Sequence, residues 1–256
     1  MKEYITSLTL AVSLLFSSAL FAFDDHEKPK SLADMWVMVP NAGQQAQFEK
    51  AFKEHLKYRL SKKDSREWHV FVPTVGVDMN RYAVRFCCTS FKDVEAYNKW
   101  AKDNDIGKHW NETVAQYVAS YEHFFGRMDF ENSHWPDDGK KYRYFAVTEY
   151  QVKMGKSESV EAGKKTLSDN AKAMKWPYLW SWSWTIGGEG GLNLVIPYEN
   201  FEGMTPPDKS FGEALSAHLK DDAKTAEIFS NWSDNFSSTN YTIWSLRDDM
   251  SMGQSE

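Results

Sequence analysis

The chain has 256 residues, a formal net charge of −6 and no extended lysine or arginine run, which argues against nucleic acid or an anionic membrane surface as partner. Aromatic residues make up 15% of it, with 11 Trp, so the fold needs a strongly aromatic core or an aromatic-lined cavity. The two cysteines are neighbours, Cys87 and Cys88, and no disulfide framework spans the fold. They read as two part-buried thiols, with an adjacent-residue disulfide or an intermolecular bridge as the alternatives in an oxidising compartment.

Residues 1–22 have the form of a secretory signal peptide: Lys2, an apolar core over 8–16, then small residues ending at Ala22. That core is well short of the roughly 20 residues of a membrane-spanning helix. An exported protein, periplasmic or extracellular and without a membrane span, is expected. Residues 23–33 are charged and aperiodic and read as a flexible leader. The apolar run 35–39 predicts a strand covered on both faces. Residues 44–62 place Phe48, Phe52, Leu56 and Leu60 at helical spacing. The β-branched and aromatic runs 68–75 and 82–89 predict a hairpin. A helical stretch over 92–119, broken near 103–107, leads to a closing strand over 121–128. Residues 132–141, with Pro136 and Gly139, form a linker.

The same order then returns. A strand over 142–150 is followed by a helix over 158–175, strands 178–186 and 192–197, a helix over 211–232, a strand over 239–246 and a tail over 249–256. Gly187, Gly188, Gly190 and Gly191 connect two strands, so they predict a hairpin turn and not a phosphate cradle. Residues 202–210, with Pro206 and Pro207, are an insertion in the second copy, a surface loop or a lid. Laid side by side, 91–125 and 211–245 put Phe91 on Phe211, Asp93 on Glu213, Asn111 on Asn231 and Tyr121 on Tyr241. The reading is therefore α+β, with β-α-β-β-α-β repeats at 34–131 and 142–248. One such unit leaves a sheet face bare, and two can cover each other. A monomeric pseudo-dimer or a homo-oligomer follows.

Two groups of side chains stand out. Tyr178, Trp180, Trp182 and Trp184 share one strand face; they either pack under the helices or line a ligand cavity. His69, His109 and His123, with Glu112, are types that suit zinc or iron, but no HxH or HExxH spacing is present and no metal site is expected. GxSxG and P-loop motifs are absent.

The stretch Phe91-Lys-Asp-Val-Glu-Ala-Tyr-Asn-Lys-Trp100, followed by Asp105-Ile-Gly-Lys-His109, resembles a helix of the dimeric α+β barrel superfamily. This ferredoxin-like group includes antibiotic-biosynthesis and haem-degrading monooxygenases. Phe211-Gly-Glu-Ala-Leu-Ser-Ala-His218 is similar to the start of the same helix. The resemblance spans 34–248 and implies two ferredoxin-like units whose antiparallel sheets pair into a barrel. It also implies a monooxygenase activity, cofactor-free or haem-dependent. By that resemblance Trp100 would line a haem face, His109 would ligate the iron, and Arg85 or His123 would be a propionate or distal partner. The family's first-strand asparagine is replaced by Val37, Met38 and Val39, and Phe229 stands at the second-copy position of His109. The residues themselves point to an exported protein that binds a small apolar or aromatic molecule against Tyr178, Trp180, Trp182 and Trp184. An enzyme of the same superfamily and a filled, purely structural barrel are the alternatives, and an apolar cavity beside those rings would separate them.

Overall fold

Strand β1 (Leu32–Pro40) begins a computed structural model that describes residues 30–136 and 138–252. The expected signal peptide lies outside these residues. The chain continues through α1 (Gln45–Ser61), β2 (His69–Val75), β3 (Tyr82–Thr89), α2 (Phe91–Asp103), α3 (Ile106–Thr113) and β4 (Val118–His134). It then runs through β5 (Tyr144–Val152), α4 (Ser157–Ala173), β6 (Trp180–Ile186), β7 (Leu192–Tyr198), α5 (Phe211–Leu219), α6 (Asp222–Ser233) and β8 (Phe236–Leu246). All eight strands pair antiparallel in one closed ring, β1-β3-β2-β8-β5-β7-β6-β4. The first four strands lie in the order β4-β1-β3-β2 and the last four in the order β8-β5-β7-β6, with β2–β8 and β4–β6 as the two seams. No described helix is long and apolar enough to cross a membrane.

Strand alternation divides the side chains between two faces. On β1, Trp36 and Met38 face the helices and join Phe48, Phe52, Leu56, Trp68 and Val114 in the core of the first half. Val37 points the other way, into the barrel, with Ala83, Trp244, Phe71, Phe124, Phe145 and Val147. The second half has its own helix-facing core of Val160, Trp180, Trp182, Leu192, Trp232 and Phe236.

Several boundaries differ from the sequence reading. The stretch 92–119 is two helices and a short turn, because Asp105 adopts the left-handed conformation (φ 55°) between α2 and α3. Lys220, also left-handed, divides 211–232 into α5 and α6. Strand β4 is far longer than 121–128: a register shift between Asp129 and His134 lets it run on through residues assigned to the linker and pair His134 with Trp180. Strand β1 likewise takes in residues 32 and 33 of the leader, and Tyr178 precedes its strand. Cys87 and Cys88 are joined as an adjacent-residue disulfide where two thiols were expected. The tail is also part of the fold up to residue 252. Met250 and Met252 are buried in the core of the first half, and the Met252 N–H donates to Trp68 O at 2.7 Å.

Candidate functional site

Helix α2 starts at Ser90, whose hydroxyl accepts the Asp93 N–H. It then crosses the first-half sheet without burying a single residue completely. It touches the sheet side through Phe91 on Phe125 (5.9 Å between ring centroids) and through Tyr97 on Trp68 (6.4 Å). Trp100 stacks on Tyr97 at 5.1 Å. Under the helix lie the helix-facing residues of β1, β3 and β4.

Register brings the chemistry of this floor together. Trp36 of β1 is paired with His123 of β4, and their rings stack at 4.0 Å and 10°. Asp34, one pleat away, is 5% exposed and accepts from two donors: Arg66 Nη1 at 2.6 Å and His123 Nε2 at 3.0 Å. A carboxylate can only accept, so Nε2 carries a proton in this contact; in the neutral ring Nδ1 is then the lone-pair nitrogen. The His123 side chain is 39% exposed, so this dyad opens outward. The Arg66 guanidinium is buried, lies 3.6 Å from the centre of the Tyr97 ring, and keeps Nη2 without a protein partner. The Tyr97 hydroxyl donates to Asp64 and accepts from Trp68 Nε1, and burial pushes its phenol up to about 12. The result is a half-exposed, oriented imidazole against aromatic rings, backed by a buried ion pair that holds it in place.

His109 is engaged elsewhere. It sits on α3, its ring stacks on Tyr58 of α1 at 4.0 Å, and its Nδ1 lies 3.0 Å from Nδ1 of His55. Arg59 donates toward His55 Nε2 at 3.4 Å, so His55 carries its proton on Nδ1 and gives it to His109. Burial, then Arg59 and His109, lower His55 to about 3 and keep it neutral. An iron-ligating histidine donates its second ring N–H outward to an acceptor; here that nitrogen is itself an acceptor. Trp110 packs edge-on against His55, and Phe52 against Trp110. The residues around His109 therefore do not fit a haem ligand.

The other sequence candidates scatter. His69 lies on the barrel-facing side of β2, directly opposite Arg85 of β3, so His69, His109 and His123 do not meet. No described group of His, Cys, Asp or Glu has metal-binding geometry. Trp180 and Trp182 are buried under α4 and α6, and their indole N–H groups donate to Asn132 O (2.8 Å) and Ser168 Oγ (3.1 Å). Tyr178 donates to Thr205 O. Only Trp184 borders a groove, of about 420 Å³, shared with Arg127, Asp129, Glu161 and Lys164. Sequence reasoning passed over Asp34, Arg66 and Tyr97. The available signal was Asp34, a lone acid in an otherwise apolar strand.

No protein-family model and no curated protein matches the chain. Solved structures do. A candidate monooxygenase from Lactobacillus acidophilus NCFM superposes with a TM-score of 0.53 at 9% identity, covering 88% of this chain and 97% of that one. An anthrone oxidase-like protein gives 0.52 at 8% identity, covering 86% and 92%. The R173A mutant of chlorite dismutase from Candidatus Nitrospira defluvii gives 0.52 at 9%, covering 87% and 94%. The fold is the dimeric α+β barrel. At these identities the likeness is one of fold, and within this barrel the α2 cleft is where the chain's own residues converge.

Proposed function

We propose that this is an exported dimeric α+β barrel protein that binds a small aromatic molecule in the cleft between α2 and the first-half sheet, with His123 as its polar anchor. The observation that carries this reading is the dyad: a buried Asp34, itself fixed by Arg66, holds a partly exposed imidazole against Trp36 and Phe125, with Phe91 of α2 packed on Phe125. The strand orders β4-β1-β3-β2 and β8-β5-β7-β6 support the further reading of the chain as two fused ferredoxin-like units, a pseudo-dimer that needs no second subunit to close its barrel. Native mass spectrometry of protein isolated from its host tests the ligand. A retained small molecule is expected in the parent and not in His123→Ala; retention by both would move binding elsewhere.

The dyad also favours an enzymatic reading, since a carboxylate-oriented imidazole is suited to take a proton from a phenolic hydroxyl. The structural neighbours described as a candidate monooxygenase and as anthrone oxidase-like support that class. If it holds, oxygen uptake with hydroxylated polycyclic aromatics should fall by roughly 10²–10⁴-fold in His123→Ala. Uptake that survives the substitution would reject the dyad as the proton acceptor.

A further inference from the structure

The barrel interior, a separate place from the α2 cleft, holds two guanidinium groups without counter-charges. Arg85 faces inward from β3, between Met35 of β1 and His69 of β2. Its one polar contact among the described residues is Met128 Sδ at 3.8 Å. Loss of water lowers its guanidinium to about 10. Arg81, at the start of the same strand, lies 4.8 Å from the centre of the inward-facing Trp244 ring, with Nε and Nη2 buried and unpartnered. The carboxylates that strand register turns to this side, Glu122 and Glu149, are exposed and pair with neither arginine.

Both arginines are half-buried, and a cation drawn out of water without a counter-charge opposes folding, so a chain that turns two toward its barrel interior calls for something there to compensate. The inward positions are small on three strands, with Ala33 of β1 opposite Gly126 of β4 and Ser181 and Ser183 on β6. Met35, His69, Phe71, Phe124 and Met128 face into the barrel yet are only half-buried, as they would be around unfilled space. Burial, then Arg85, lowers His69, against a smaller opposite pull from Glu67 and Asp248.

We infer that the barrel lumen binds a small organic anion, a carboxylate or phenolate on an apolar body, with its acid group on Arg85 and its body against Met35, Phe71, Phe124 and Met128. Charge-assisted hydrogen bonds from a forked guanidinium favour such a group over its neutral analogue.

The test uses the full chain, with 2-naphthoate and its neutral isostere 2-naphthamide as probes, read by calorimetry and thermal unfolding. The acid should bind and raise the unfolding midpoint at millimolar concentration, and the amide should not. Arg85→Met should weaken the acid by roughly ten- to a hundredfold and, without ligand, raise the midpoint by removing an uncompensated charge. Arg85→Gln, which keeps hydrogen bonding without charge, should lose the same affinity and guards against a Met variant that does not fold. Equal binding of acid and amide, no binding of the acid, binding retained in Arg85→Gln, or a lower ligand-free midpoint in Arg85→Met would each overturn the inference.

Discussion

His55 shows how one buried group links this fold to pH. Its folded-state value is about 3 and its ordinary value 6.5, so below pH 6.5 the unfolded chain takes up a proton that the folded chain refuses. Stability should fall as pH drops from about 6.5 toward 3, with a slope of up to about 1.4 kcal/mol per pH unit for this one site. His69 is shifted the same way, chiefly by burial. Glu49 and Asp249, held below the usual carboxylate range by Arg247, add acid sensitivity only below their unfolded values near 4.5 and 3.8. The window between pH 6.5 and 5 thus belongs to the histidines. Urea midpoints across that window should give a shallower slope for His55→Gln than for the parent. Parallel curves would mean that His55 titrates alike in both states. None of this was readable from the sequence, because the largest cause, burial, is set by how α1 and α3 pack, and His109, the last, is 54 positions away.

At the scale of elements, the strands were legible because periodicity is local: β3 lies where its alternation placed it, and Ser90 and Ser210 cap the two helices whose sequences align. Boundaries set by single backbone conformations, such as left-handed Asp105 and Lys220, were not legible, since neither residue is a glycine. The side of a strand's face was hidden too. Alternation says that Trp180, Trp182 and Trp184 share a face; only packing says that this face meets α4 and α6 and not the lumen. The candidate cleft was half visible: His123 and Trp100 were named, but their value depends on Asp34, which is 89 positions from His123. Strand β6 makes a prediction of its own. Trp182 is 4% exposed, packs edge-on against Trp232 and donates to Ser168, so Trp182→Ala should cost about 3–5 kcal/mol in chemical denaturation. A variant as stable as the parent would show that the α4–α6 layer closes over the gap.

At the scale of the whole molecule, the closed ring leaves no strand edge free, and separating the halves would expose β2 and β4 together. A fragment of residues 30–135 should therefore self-associate or fail to fold, as seen by sedimentation and thermal unfolding; a monomer with a sharp transition would contradict the fused-unit reading. That fragment also lacks Met250 and Met252, which fill the first-half core, and Ser251, whose hydroxyl accepts the Val70 N–H. This return of the chain has a consequence for the order of events during synthesis. The first half emerges from the ribosome long before the residues that complete its interior, so it must wait, unfinished, until β8 and the segment up to Met252 have followed. A chain that cannot lock its leading half early stays pliable for as long as it is being made.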